Sequence, residues 1–254
     1  VLLAFALKTT RVQLVMDARR PLVGDELARF RDLVKRRRTR EPVAYLRGER
    51  EFYGRVFRVD RRVLVPRPDT ETLVEVAMRR TARVSMSMRA LDLCTGSGCV
   101  AISLARERPT SSVRATDLCP GALAVARENA LRLGAYNVAF AEGDLYAPAR
   151  GLRFDVVTAN PPYVPSGDIE GLAADVRDHE PRLALDGGAD GLDLVRRVVD
   201  GAPAHLAEGG VLAVEVGAGE APDVRALFEA RGFRDVEVAR DYGKIERVVS
   251  GAIG

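Results

Sequence analysis

Leu91-Asp92-Leu93-Cys94-Thr95-Gly96-Ser97-Gly98 decides the fold. A strand-like run from Arg89 to Leu93 opens into a Thr-Gly-Ser-Gly turn, and Val100 to Arg106 then reads as a helix. Strand, glycine turn and helix make the opening unit of an α/β sheet that takes its ligands at the carboxyl ends of the strands. Gly96 and Gly98 let a ligand approach the backbone, and the helix N-terminus behind them favours a carboxylate or phosphate. The same turn would serve a nicotinamide dinucleotide. Against that, the G-x-G-x-x-G spacing is broken, because no third glycine falls near Ile102 and Ser103.

Working outward, Ser112 to Thr116 reads as a second strand ending in Asp117. An acid about 20 residues past the glycines suits ribose hydroxyls. Its other reading is a cap for the helix that starts near Pro120-Gly121. A third strand, Asn137 to Ala141, leads to Gly143-Asp144-Leu145-Tyr146, at the next strand end and close to an adenine. A fourth, Phe154 to Ala159, delivers Asn160-Pro161-Pro162-Tyr163. Two prolines stop the strand and stiffen the turn. An Asn amide, the Pro161 carbonyl and an aromatic ring are then held at one corner. That corner is a socket for a planar NH2 group: Asn160 and Pro161 accept its two N–H bonds and Tyr163 packs on its face. A bare Asn-Pro turn is the plain alternative, and what favours the socket is its convergence with the glycines and Asp117.

DLCTGSG, ATD, GDLY and NPPY, in this order, resemble the S-adenosylmethionine-dependent methyltransferases with a seven-stranded Rossmann-like sheet, and NPPY resembles those that methylate adenine N6, guanine N2 or glutamine N5. Arg40-Glu41-Pro42-Val43-Ala44-Tyr45-Leu46-Arg47-Gly48, Glu51-Phe52-Tyr53-Gly54, Val63-Leu64-Val65-Pro66-Arg67-Pro68-Asp69-Thr70-Glu71, His179-Glu180-Pro181 and Ala184-Leu185-Asp186-Gly187-Gly188 narrow the likeness. They are similar to the peptide chain release factor N5-glutamine methyltransferases. A sister group acting on a ribosomal protein usually has Ser-Pro where Pro68-Asp69-Thr70-Glu71 stands. The resemblance implies methyl transfer to the glutamine of a Gly-Gly-Gln motif in release factors. It also implies a cofactor set of Cys94, Thr95, Gly96, Ser97, Gly98, Asp117, Asp144, Leu145 and Asn160. The substrate set is Asn160, Pro161, Pro162 and Tyr163; of these Asn160, Pro161 and Tyr163 carry the chemistry, and no metal is expected. Nucleic-acid amino-methyl transfer is the rival, and would call for a target domain or a strongly basic face. A binding module with a relic cofactor pocket is a second rival. Cys94 stands where many members have Gly, and Glu220 where Gln is common.

The expected architecture is α/β: a seven-stranded methyltransferase sheet over 67–254, a small helical docking domain over 1–49 and a β-hairpin linker over 50–66. In the helical part, Gly24 to Arg38 places Leu27, Phe30 and Leu33-Val34 on one stripe. The hairpin is expected to turn at Asp60-Arg61. A polar stretch from Thr81 to Met88 precedes the first sheet strand. Later strands are expected at Val211 to Val216, Val236 to Ala239 and Arg247 to Ser250, the last two antiparallel. The chain starts at Val1, and its helices before Arg40 are shorter than the family's bundle; this reads as a truncated unit, a GTG start translated literally, or a variant. At 254 residues with 47% hydrophobic content it can bury a full core. No run is long enough to span a membrane, and no signal-peptide pattern appears. Three cysteines without paired spacing suit a reducing cytoplasm. Net charge is +3, carried almost wholly by arginine, with one dense run at Lys35 to Arg40. The reading is therefore a cytoplasmic monomer whose partners are release factors, with no membrane or direct nucleic-acid contact.

Overall fold

Helical stripes give way to two-residue alternation at Glu49, and the fold follows that change. Four helices come first: α1 (Leu2–Ala6), α2 (Arg11–Met16), α3 (Gly24–Arg38) and α4 (Val43–Arg47). Ala6, Leu33 and Leu46 are the buried centre of this layer, with Leu2 and Phe30 against them. Strands β1 (Glu49–Phe52) and β2 (Arg55–Arg58) then form an antiparallel hairpin.

The hairpin turns at Tyr53-Gly54, not at Asp60-Arg61. Both Tyr53 and Gly54 have positive φ, 50° and 69°, which two-residue hairpin turns require. Asp60 does make a turn, but a local one, with its carboxylate accepting from the Arg62 N–H at 3.0 Å. Beyond it the chain is an extended strap. Val63 and Val65 are buried there with Val59, Tyr45, Ala122 and Val125, so their alternation reflects packing without strand pairing. The Tyr45 hydroxyl donates to the Val63 carbonyl at 2.6 Å, fixing the strap to α4.

A short 3-10 turn, Pro68–Thr70, leads into α5 (Glu71–Arg80). The computed structural model describes residues 1–84 and 87–254, so Ser85 and Met86 of the polar stretch lie outside the described residues. The sheet strands follow: β3 (Arg89–Leu93), β4 (Ser112–Asp117), β5 (Val138–Glu142), β6 (Phe154–Ala159), β7 (Leu206–Glu215), β8 (Arg234–Arg240) and β9 (Glu246–Ala252). Between them lie α6 (Cys99–Glu107), α7 (Pro120–Arg132), α8 (Ala174–Arg177), α9 (Asp193–Gly201) and α10 (Ala221–Ala230). The spatial order is β5-β4-β3-β6-β7-β9-β8, parallel as far as β7 and antiparallel from there.

Alternation builds the two faces. Ala90, Val156, Ala213 and Val248 point toward Leu73 and Ala77 of α5 and Val100 and Leu104 of α6. Leu91, Val157, Leu212 and Val249 point the other way, onto Val195 and Val198 of α9 and Phe228 of α10. Covered on both sides, the central strands read as continuous apolar runs. The hairpin joins this core through Phe52 and Phe57, both fully buried.

The order of strands reverses between β3 and β6. The chain steps outward through β4 and β5, then returns to lay β6 against the free side of β3. This is a topological switch point, where the connections on either side diverge and leave a crevice.

Candidate active site

In the register of β3 and β6, Leu93 lies opposite Ala159. The Gly turn at 94–98 and Asn160 therefore leave adjacent strand ends at the switch point. Asp117 ends β4, opposite Glu142, and Asp144 lies just past β5. One pocket joins these four ends. It is lined by Asp92, Cys94 to Ser97, Asp117, Gly143 to Leu145, Asn160 and Pro162, and walled opposite by the strap (Arg62 to Arg67) and Pro181, Leu183 and Ala184. A wider groove of about 920 Å³ lies among the N-terminal helices, between Phe5, Arg29 and Arg47. It collects no strand ends.

Cys94 adopts φ 55°, the left-handed region where glycine is unstrained, and burial pushes its thiol up, so it is an unreactive neutral group. Gly98 does not line the pocket. It caps α6 with φ 81°, and a Cβ there would stand 2.9 Å from Ile102 Cδ1 and 3.1 Å from Ala126 Cβ. Its place in the motif is close packing of α6 on α7. The Ser97 carbonyl accepts from Asn129 of α7 at 2.9 Å; Asn129 also exchanges two hydrogen bonds with the Arg58 backbone. One fully buried amide thus ties hairpin, α7 and glycine turn together.

Three acids face the pocket. Asp92 is 1% exposed. It accepts from the hydroxyls of Thr95 at 2.6 Å and Thr158 at 2.7 Å, and from the Ala101 N–H in the first turn of α6. Burial outweighs those bonds and pushes its carboxyl up to about 6. Asp117 accepts from the Gly96 N–H at 2.8 Å and the Cys119 N–H at 2.9 Å; burial raises it too. It thus shapes the start of α7 and also lines the pocket. Asp144 pairs with Arg197 of α9 at 2.5 Å. The arginines on the opposite wall are also engaged, Arg62 with Asp60 and Arg67 with Glu180. Such a pocket suits ribose hydroxyls and a cation far better than a pyrophosphate. Leu118, 55% exposed beside Asp117, adds an apolar face.

Asn160 projects into this pocket, and its Nδ2 donates to the Thr70 hydroxyl at 3.3 Å. Thr70 and Asn160 both face the Glu215 carboxyl, at the end of β7, and favour its ionised form. Pro161 is buried, and Tyr163 stands outside the lining set. Burial and the neighbouring Glu215 push the Tyr163 phenol up to about 12, so it is neutral at physiological pH. The carbonyls of Pro162 and Tyr163 are packed closely by Gly187 and Gly191, where a Cβ would lie 2.8 Å and 2.4 Å from them. Gly187 of the Asp-Gly-Gly run and Gly191 just beyond it therefore back the turn. Asp92, Leu118, Asn129, Thr70 and Glu215 were given no role of their own from the sequence. Only the position of Asp92, in the strand that feeds the glycine turn, carried a signal.

The release factor glutamine methyltransferase of Geobacter sulfurreducens is 46% identical over 253 residues, covering 100% of this chain and 88% of that protein. That of Moorella thermoacetica is 44% identical over 249 residues, covering 97% and 87%. The chain belongs to the release factor glutamine methyltransferase family. A PrmC N-terminal domain profile matches residues 1–48, and a methyltransferase small domain profile matches residues 69–176. A methyltransferase structure from Pyrococcus furiosus, 18% identical, superimposes with a TM-score of 0.58, covering 80% of this chain and 91% of that one. At that identity it shows the fold alone. Glu220, where the resemblance led us to expect Gln, presents an oxygen that a Gln would also present. Its carboxylate accepts from the Gly217 N–H at 2.8 Å, at the start of α10. The pocket's acids and apolar face fit S-adenosylmethionine, the methyl donor of such enzymes.

Proposed function

We propose that this chain transfers a methyl group from S-adenosylmethionine to the side-chain amide nitrogen of the glutamine in the Gly-Gly-Gln motif of peptide chain release factors. The observation that carries this reading is the Asn160 amide. Its NH2 end is taken by Thr70, which leaves the carbonyl end as an acceptor in the pocket. An amide nitrogen is a poor nucleophile because its lone pair is delocalised. Two acceptors, Asn160 Oδ1 and the Pro161 carbonyl, hold both N–H bonds and leave the lone pair direction open. Interactions that strengthen as the nitrogen tilts toward tetrahedral geometry lower the barrier.

S-adenosylmethionine supplies an electrophilic sulfonium methyl when bound. Asp117 would hold its ribose, the turn from Cys94 to Ser97 its methionine portion and Asp144-Leu145 its adenine edge, with Leu118 offering the base an apolar contact. Asp92 would meet its ammonium group. Orientation of two reactants in one crevice is the chief contribution of the chain. No strong base is needed, since the nitrogen becomes acidic once methylated. In this reading Tyr163 and Pro162 keep the turn rigid and flank the amide. Residues 1–49 are the docking unit for the release factor, 50–66 the linker and 67–254 the catalytic unit. One chain supplies all four strand ends of the pocket, which supports action as a monomer. It works in the cytoplasm, where the free thiols of Cys94, Cys99 and Cys119 stay reduced.

The test is methyl transfer from labelled S-adenosylmethionine to a purified release factor, beside a Gln→Ala change in its Gly-Gly-Gln motif and a duplex DNA control. Label goes to the unaltered factor alone. Asn160→Ala binds the cofactor within several-fold of the parent and loses at least a hundredfold in turnover, on the scale of removing one preorganised contact to the reacting group. Near-normal turnover by that variant removes the mechanism; label on DNA removes the substrate.

A further inference from the structure

We infer that Glu215 is a positioning residue: its carboxyl and the Thr70 hydroxyl hold the NH2 end of the Asn160 amide and so turn Asn160 Oδ1 toward the substrate. The inference rests on the reading of Asn160 given above, and assigns a role to a group outside the pocket. Glu215 is 1% exposed and Thr70 is 2% exposed. Asn160 and Thr70 line the pocket, whereas Glu215 stands behind them at the carboxyl end of β7.

The three side chains stand together. Asn160 Nδ2 donates to Thr70 Oγ1 at 3.3 Å, and both side chains face the Glu215 carboxyl and favour its ionised form. Thr70 thus accepts from Asn160 and leaves its own hydroxyl hydrogen free to turn toward Glu215. An Asn amide has two ends of nearly equal shape, and a flip would aim its NH2 at the substrate NH2, donor against donor. An ionised carboxylate only accepts, so it can hold the NH2 end and cannot hold Oδ1. A carboxamide in its place could do either.

The cost of this carboxyl argues that its position is used. Its Oε2 is buried with no hydrogen-bond partner, an expensive arrangement. It is not explained as the partner of Arg247, the nearest buried cation. Arg247 is bonded instead to Asp241 at 3.2 Å and the Val216 carbonyl at 3.2 Å, with Asp69 at 3.6 Å. Among the described residues Glu215 forms no ion pair of its own.

The charged and titratable groups facing Glu215 are Arg247 from β9, Asp69 before α5, Tyr163 after β6 and Cys99 in α6. Tyr163 and Cys99 stay neutral, and Arg247 stays charged. Burial raises the carboxyl to about 7 against the pull of Arg247. Below that value it carries a proton, and a protonated carboxyl can donate to a flipped Oδ1. Turnover at saturating substrates therefore rises with pH through one ionisation near 7.

Glu215→Gln tests this. Expected is a 10- to 100-fold fall in kcat for the release factor, KM for factor and cofactor within about threefold, and loss of the pH step. Thr70→Ser retains most activity and Thr70→Val does not. A purely structural Glu215 predicts the reverse: a shifted melting temperature with kcat and its pH profile unchanged, which overturns the inference and leaves the proposed function standing. A second readout needs no substrate. The Asn160 side-chain NH2, assigned in 15N NMR by its loss in Asn160→Ala, exchanges with solvent at least tenfold faster in Glu215→Gln. If the parent protein fails to methylate any release factor, the functional reading falls and this exchange rate alone decides: unchanged exchange refutes the role of Glu215, and faster exchange supports it.

Discussion

At residue scale, Asp92 and Asn160 show how burial sets chemistry. Asp92 titrates near 6 because desolvation of its carboxylate exceeds what Thr95, Thr158 and Ala101 return. Its raised value means that, in the free protein, its stabilising contribution is full below the unfolded value of 3.8 and is lost as pH rises through about 6. For binding the sign reverses, because only the ionised form pairs with an ammonium group. Affinity for the cofactor falls roughly fourfold between pH 7.5 and 5.5. Asp92→Asn binds weakly at both pH values, and calorimetric titration checks both. The glycines and Asn160 were legible because their spacing is local. Asp92 was quoted as part of the motif yet passed over as a ligand group, since strand residues read as core. Glu215 was visible only as the first residue of the Glu-x-Gly run Glu215-Val216-Gly217, with no role attached: it lies 55 positions from Asn160, and only the pairing of β6 with β7 brings them together.

At the scale of elements, periodicity located the strands of the sheet and the helices α3 and α6, since apolar alternation and stripes depend on neighbours in sequence. The strap from Val59 to Arg67 was misread as a strand because its valines alternate just as strand residues do. What they meet is α7, which no local pattern reveals. The strap and the segment after NPPY are clamped by Arg67 and Glu180 at 2.7 Å. Glu180 is 6% exposed, while the Arg67 side chain is one-third exposed. Arg67→Ala leaves a buried carboxyl without its cation. It costs about 2 kcal/mol, below the full penalty for a wholly buried pair because Arg67 is partly solvated. Urea denaturation measures that loss. Turnover falls with it, since Arg67 and Pro181 are on the same wall of the pocket.

For the whole molecule, the hairpin and sheet unfold together, because Phe52 and Phe57 belong to the same core as Leu73, Val100 and Val248. A ligand bound at four strand ends should stabilise all of it. S-adenosylhomocysteine at about 100 times its Kd adds about 2.7 kcal/mol, or roughly 5–10 °C in Tm. Asn160→Ala shows a shift of similar size, and scanning calorimetry distinguishes this from a collapsed pocket. The sheet order itself was only partly legible. Composition and crossovers gave the doubly wound class, but the insertion of β9 between β7 and β8 depends on the antiparallel return near the C-terminus. That insertion bears on synthesis. The strand that braces β7, and carries Arg247 up beside Glu215, follows every other strand in the chain. A nascent polypeptide can assemble β3 to β6 and the glycine turn while still being translated, yet the buttress under Asn160 stays incomplete until residues 246–252 have emerged from the ribosome. Catalytic competence is therefore the final act of folding.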